Sequence, residues 1–296
     1  MMAATTSASV IASKDFGDEA GAVVYWSLSG AVSHEDLEYE WCVMAELESD
    51  WLPSEPSKET ALKRALEQFR EDRRGCLLRP LGKGRSGYVL VHEHFDDVDG
   101  GKPSYRNGLS AEILDGKLVV DLGAFTSVDS DAHGEYVEAT YKRYLGLLTQ
   151  NDVSTWLVHL AQRVGAVRLR DSGGIYFVPR DVLDTWRSFV AAIRKVSQHK
   201  MFEIPAMRTE EAVNAILDAL NAEADAALAT LNADLDGWAA SEQLKKHVVE
   251  TRTRRLRDVD AKLTKYEGLL GVKLEALRAQ VEQVSARLVA AALEAE

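Results

Sequence analysis

The most regular pattern of apolar and polar positions lies in the last third of the chain, residues 205–296. Apolar residues recur there at alternating spacings of three and four, which is typical of the buried seam of a coiled coil. The strongest run comprises Leu256, Val259, Leu263, Tyr266, Leu270, Leu274, Leu277, Val281, Val284 and Leu288. This pattern predicts long helices, and we expect these ten side chains to mediate self-association.

Two arrangements of this tail fit the pattern. Gly268 and Gly271 flank the one step that departs from strict alternation, as a stutter or a bend would. A bend would fold the tail into a helical hairpin, whereas continuity would give one helix over residues 241–292. A further break is expected at 237–241, where Gly237 is followed by small residues.

Residues 136–200 predict a helix over 136–148, a tight turn, a second helix and a hairpin over 166–179. This is the layout of a winged-helix-like module. Thr149 and Asp152 have the spacing of a capping box, which predicts the start of the second helix. If the module reads nucleic acid, it would use the polar residues that face outward on the second helix and on the hairpin: Ser154, Thr155, His159, Arg163, Arg168 and Arg170.

Residues 21–135 predict a small α+β domain, preceded by a disordered segment at 1–20. A helix is expected to begin at Ser33. Its apolar stripe would consist of Leu37, Trp41, Met44 and Leu47. Further along, Asp115-Gly116 lies between two strand-like runs and predicts a hairpin with a type I′ turn.

Two short motifs in this domain suggest chemistry. Gly82, Gly84 and Gly87 match the pattern G-x-G-x-x-G, but a strand follows them where dinucleotide binding needs a helix. We therefore interpret these glycines as a hairpin loop. His92 and His94 alternate on one strand and share a face, which would allow them to ligate a metal. Because the sequence places no third ligand beside them, we expect no metal and no cofactor.

The charge composition limits the partners. The 296 residues include 35 Lys and Arg against 47 Asp and Glu, a net charge of −12, which argues against general binding of polyanions. The charge is banded: residues 1–57 carry one base and eleven acids, whereas residues 137–200 carry ten bases and five acids. The basic residues of 137–200 are therefore compatible with local binding of nucleic acid.

Other features of the composition indicate the compartment. The two cysteines, Cys42 and Cys76, are too few for a disulfide framework. No apolar run approaches the roughly 20 residues of a membrane span. The first residues also lack the basic and apolar regions of a signal peptide. We expect a cytoplasmic protein with no membrane partner.

Together these patterns predict an α+β head with a winged-helix-like module, followed by a long α-helical, coiled-coil-like tail. This layout resembles an uncharacterised family of bacterial and phage proteins. The similarity rests on Leu169-Arg-Asp-Ser-Gly-Gly-Ile-Tyr-Phe-Val-Pro179 in the head, and on Thr251-Arg-Thr-Arg-Arg255 and Lys265-Tyr-Glu-Gly-Leu-Leu270 in the tail. The resemblance implies a mobile-element setting and no activity.

We therefore expect a non-enzymatic interaction or scaffold protein. It would form homo-oligomers through its C-terminal helices and present its head to an unidentified protein partner. The alternative is a nucleic-acid-binding protein that uses the module at 136–200. An enzyme is disfavoured because the sequence contains no P-loop, nucleophile elbow or cluster of metal ligands.

Overall fold

The computed structural model describes residues 9–10, 18–71, 76–82, 84–95, 103–123, 130–171, 173–239 and 246–294. Its strands are β1 (Ser9–Val10), β2 (Glu19–Ser27), β3 (Val32–Ser33), β4 (Cys76–Pro80), β5 (Gly87–Phe95), β6 (Pro103–Leu114), β7 (Lys117–Asp121), β8 (Leu147–Leu148), β9 (Val167–Arg168), β10 (Ile175–Pro179), β11 (Lys200–Met207) and β12 (Val272–Lys273). Its helices are α1 (His34–Glu38), α2 (Lys58–Glu71), α3 (Ser130–Tyr144), α4 (Gln150–Arg163), α5 (Arg180–Val196), α6 (Glu210–Ala239), α7 (Lys246–Leu270) and α8 (Glu275–Glu294). A π-helical segment (Tyr39–Met44) and a short 3₁₀ turn (Ser49–Trp51) follow α1.

The chain mixes helices and strands and folds as two compact units. Unit 1 comprises residues 1–27, 157–191 and 199–296, and unit 2 comprises residues 28–156 and 192–198. Strand β2 thus belongs to the same unit as the tail helices. Most of the segment predicted to be disordered, 1–20, lies outside the described residues, as does most of the break predicted at 237–241.

Unit 1 contains a four-stranded antiparallel sheet in the order β11-β2-β10-β9. Gly21 of β2 lies opposite Pro179, and its φ of 157° is one that side chains rarely adopt. A Cβ at Gly21 would lie 2.2 Å from the carbonyl oxygen of Val178, so only glycine fits there. On the sheet's α5 side, Trp26 stacks on Tyr176 with ring centroids 5.5 Å apart.

The tail helices α6, α7 and α8 of unit 1 share one apolar core with this sheet. Phe177 of β10 reaches that core and meets the ring of Tyr266 edge to face, with centroids 6.2 Å apart. Helix α7 ends at Leu270, and Gly271 follows with a φ of 67° before α8 begins. The tail therefore bends at the irregular step of the pattern, and the continuous helix over 241–292 is not formed.

Unit 2 contains the antiparallel sheet β4-β5-β6-β7, which is covered by α2. Leu62, Leu66 and Phe69 of α2 are fully buried in a core that also includes Leu90 of β5. The turn between β6 and β7 is as predicted, because Asp115 and Gly116 both have positive φ values, 49° and 75°.

Two predictions in unit 2 are wrong. The helix expected over 136–148 ends at Tyr144, since Gly146 adopts a φ of 64° and Leu147–Leu148 pairs with β3. The apolar stripe after Ser33 is wrong at Met44, which is exposed. The cause is the π-helical segment: the amide of Ala45 bonds to the carbonyl of Glu40, five residues back, so the wider turn moves Met44 off the buried face.

Candidate interaction surfaces

The ten seam residues of the tail lie in the core of unit 1. Nine of them are buried and Val259 is partly buried against the same core. They pack against α6 and against the sheet as well as against one another. The single chain therefore already removes these side chains from water.

Two polar residues of α7 fix this helix to the end of α4. The hydroxyl of Tyr266 donates to the carbonyl oxygen of Gly165 at 2.9 Å, and Lys262 Nζ donates to that of Ala166 at 2.8 Å. Lys262 Nζ also lies 2.5 Å from a carboxylate oxygen of Glu223 on α6. Burial lowers the pKa of Lys262, partly offset by Glu223, and burial raises the pKa of Tyr266. These contacts satisfy the carbonyls of two of the residues that connect the end of α4 to β9, so they are structural.

The six residues of the predicted nucleic-acid surface fall on both units. Thr155, His159 and Arg163 are exposed and recur at intervals of four along α4, while Ser154 is half-buried. Ser154 and Thr155 belong to unit 2, and the others belong to unit 1. The two arginines of the hairpin, Arg168 and Arg170, are both exposed, as their alternation predicted, although only Arg168 lies within a strand.

One histidine of the motif, His92, lies beside Cys76, and the sequence did not indicate this contact. Cys76 and His92 lie opposite each other on β4 and β5, with Sγ 3.4 Å from Nδ1. The structure describes the backbone of His94 but not its side chain. Within the described ranges, no three His, Cys, Asp or Glu residues are grouped as metal ligands. The contact depends on which residues of β4 and β5 lie opposite each other. The sequence alone does not give this register, so it could not predict the contact.

The glycine motif forms the connection between β4 and β5, as interpreted from the sequence. Leu81 N donates to Gly87 O at 2.9 Å, closing the loop. Arg85 at its tip forms two bonds to Glu112, Nε to Oε2 at 2.9 Å and Nη2 to Oε1 at 2.5 Å. This hydrogen-bonded pair lowers the pKa of Glu112. Arg85 is therefore engaged within unit 2, and Lys83 lies outside the described residues.

Three large apolar side chains of the π-helical segment are exposed together. Tyr39 is 54% exposed, and Val43 and Met44 are each 60% exposed. In a turn closed by bonds between residues five apart, positions four and five apart face the same side, so Val43 and Met44 lie beside Tyr39. We name these three residues the acidic–apolar surface, because their segment is strongly acidic. Residues 34–50 contain seven Asp and Glu and neither Lys nor Arg.

Three indole groups donate hydrogen bonds to the chain that follows this surface. Trp41 Nε1 donates to the main-chain carbonyl of Glu48 at 3.0 Å, and Trp51 Nε1 donates to its carboxylate at 3.3 Å. Trp156 Nε1 donates to the carbonyl of Trp51 at 2.7 Å, and its ring lies 5.2 Å from that of Trp41. Glu46 has a φ of 53°, unusual for a residue other than glycine. We name this arrangement of the three indoles the indole clamp.

The first half of α7 in unit 1 carries three exposed arginines. Arg254, Arg255 and Arg257 are exposed, and none forms a salt bridge with another residue of the described chain. Arg252 beside them is half-buried, with Nε 2.8 Å from Asp234 Oδ2. We name the three exposed arginines the arginine face.

No helix in the described parts of the chain is both long and apolar enough to cross a membrane. No curated protein and no solved structure matches the chain. A model of one protein family, in contrast, matches residues 20–296. Because that match spans nearly the whole sequence, the chain belongs to DUF6744, a family of unknown function.

Proposed function

We propose that this chain is a non-enzymatic interaction protein that associates with copies of itself. The observation that carries the proposal is the acidic–apolar surface of Tyr39, Val43 and Met44. Single exposed apolar residues are common on proteins, but a contiguous apolar group with a polar rim is typical of an interaction site. The indole clamp supports this proposal, because a surface held in one conformation loses little entropy on binding.

The surface differs from the one that the tail pattern suggested. The seam residues are packed inside unit 1, so using them between copies would require the bundle to open. The acidic–apolar surface needs no such opening. Cys42 and Cys76 form no disulfide, which supports the proposal that the protein acts in a reducing compartment such as the cytoplasm.

The test is the mass of the protein in solution over a wide range of concentration. Wild type should form oligomers as its concentration rises, measured by sedimentation equilibrium or light scattering. Replacing Tyr39, Val43 and Met44 together with Ser should leave a monomer. Val289 and Leu293, also exposed, lie on α8. A variant with Ser at both positions is the matched control and should oligomerise like wild type.

Circular dichroism should show that each variant keeps its helices. A wild-type protein that stays monomeric at high concentration would overturn the proposal. Equal loss of association in the control variant would also overturn it, because the effect would then not be specific to the surface.

The alternative is a nucleic-acid-binding protein of bacterial or phage origin that uses 136–200 as a winged-helix-like module. One observation favours it: His159, Arg168 and Arg170 are exposed in unit 1, as a reading helix and a wing require. Mobility shifts with duplex DNA at low and high salt test it. Binding should fall steeply with salt and should weaken in Arg168→Ala with Arg170→Ala, while the exposed Arg180→Ala serves as control. Absence of binding at low salt would remove this alternative.

A further inference from the structure

We propose that the acidic–apolar surface of one copy binds the arginine face of α7 in a second copy, so that copies join head to tail. This inference rests on the proposed function and names the partner surface. The two surfaces lie in different units, and each is defined by residues that the structure exposes: Tyr39, Val43 and Met44 on one, and Arg254, Arg255 and Arg257 on the other.

The charges of the two surfaces are complementary. Glu35, Asp36 and Glu38 are exposed on α1 immediately before the apolar group, and Glu46 is exposed just after it. The three arginines form no salt bridge within the described chain. They outnumber the exposed acids beside them on α7, Glu250 and Asp258, so positive charge remains for an acidic partner. Complementary potentials at an interface speed association and exclude surfaces of the wrong sign.

The side chains also suit each other chemically. An arginine guanidinium can lie flat over a tyrosine ring, and its methylene stem can cover an apolar side chain. Tyr39 offers the ring, and Val43 and Met44 offer the apolar area. Arginine, methionine and tyrosine are all enriched in interfaces, whereas lysine is depleted. Three arginines therefore fit this surface better than three lysines would.

The geometry of such a contact has a consequence for assembly. A contact between two different surfaces leaves one surface of each kind unused in every dimer. Further copies can then add, so the assembly grows into a ring or a chain. A two-fold dimer would instead stop at two copies.

The experiment uses two variants of the full chain. The first carries Tyr39→Ser, Val43→Ser and Met44→Ser, and the second carries R254E, R255E and R257E. Each variant should be monomeric by itself, with the association constant reduced about tenfold or more. Mixed at equal concentration, they should form a one-to-one dimer that does not grow, because only one intact contact is left. Sedimentation velocity distinguishes these species.

A third variant separates charge from side-chain shape. With R254K, R255K and R257K, the net charge is kept but the planar group is lost, so we expect association several-fold weaker than wild type. Raising the salt from about 0.05 M to about 0.5 M should weaken wild-type association, because exposed charges are screened. Lysine variants that match wild type would contradict the role of the guanidinium groups.

The failures of the two proposals give different results. If wild type never associates, the proposed function fails and this inference fails with it. If wild type associates and the Ser variant does not, but the arginine-to-glutamate variant oligomerises normally, only the partner surface proposed here is wrong. If the two variants mixed together stay monomeric, the head-to-tail contact is also wrong.

Discussion

Arg64 on α2 and Asp152 on α4 form an ion pair within unit 2, with Arg64 Nη2 2.7 Å from Oδ1 and 2.6 Å from Oδ2. The same carboxylate accepts from the amide and the hydroxyl of Thr149, at 2.7 Å and 2.8 Å. Arg64 Nη1 donates in addition to the carbonyl of Leu147. One carboxylate thus caps α4 and ties it to α2.

We expect Asp152→Asn to destabilise unit 2 by about 1–3 kcal/mol, because Arg64, which is largely buried, loses its counter-ion. The free energy of opening can be measured from amide hydrogen exchange in peptides from α2 and α4. Glu138→Gln, which breaks an exposed pair with Lys142, is the control and should cost less than about 0.5 kcal/mol. A cost for Asp152→Asn as small as the control's would show that the network contributes little.

This network shows how far the sequence determines the fold. The capping box of Thr149 and Asp152 was predictable, because it depends on a spacing of three residues. The pairing with Arg64 was not, because the two residues are 88 positions apart and only the folded chain brings them together. The seam behaves in the same way: its period predicts a buried stripe but not the partner that buries it.

The sequence did not predict the acidic–apolar surface, for a different reason. A stripe with helical spacing assigns Trp41 and Met44 to the same buried face, and only Trp41 lies there. The π-helical turn that separates them has no clear pattern of residue types, and we expect its stability to depend on the indole clamp. Two of the clamp's three indoles, those of Trp51 and Trp156, come from outside the segment.

We expect Trp41→Phe to destabilise the base of the acidic–apolar surface by about 1–3 kcal/mol. The ring is fully buried, so a smaller ring leaves a cavity, and the carbonyl of Glu48 loses its indole donor. Amide exchange over residues 39–52 should become faster. Trp51→Phe is the comparison within the clamp: its indole bonds to an exposed carboxylate, so this substitution should cost less than about 1 kcal/mol. Equal effects of the two substitutions would argue against this account of the clamp.

We expect Tyr266→Phe to destabilise unit 1 by about 1–2 kcal/mol. The substitution keeps the buried ring but leaves the carbonyl of Gly165 without its donor. Amide exchange in the peptide that spans the end of α4 reports the effect. The control is Tyr25→Phe in the same unit, whose hydroxyl has no hydrogen-bond partner among the described residues, and it should stay within about 0.5 kcal/mol. If Tyr266→Phe matches this control, the bond does not fix α7 to α4.

The stability of unit 1 should depend on the titration of Lys262. Burial lowers the pKa of Lys262 below its ordinary value of 10.5, and Glu223 reduces that shift without reversing it. Between the folded and the unfolded pKa, the folded state therefore binds fewer protons than the unfolded state. The contribution of Lys262 to stability is smallest below the folded pKa and rises with pH through this window.

Lys262→Met removes this titration, so it provides the comparison. The free energy of unfolding of wild type minus that of Lys262→Met should increase as the pH rises towards 10.5, by at most about 1.4 kcal/mol per pH unit. Urea unfolding at several pH values measures it. Glu223→Gln should extend the rise to lower pH, because losing this carboxylate lowers the pKa of Lys262 further. A flat difference would mean that burial and Glu223 cancel at Lys262, and a difference that falls with pH would mean that Glu223 outweighs burial.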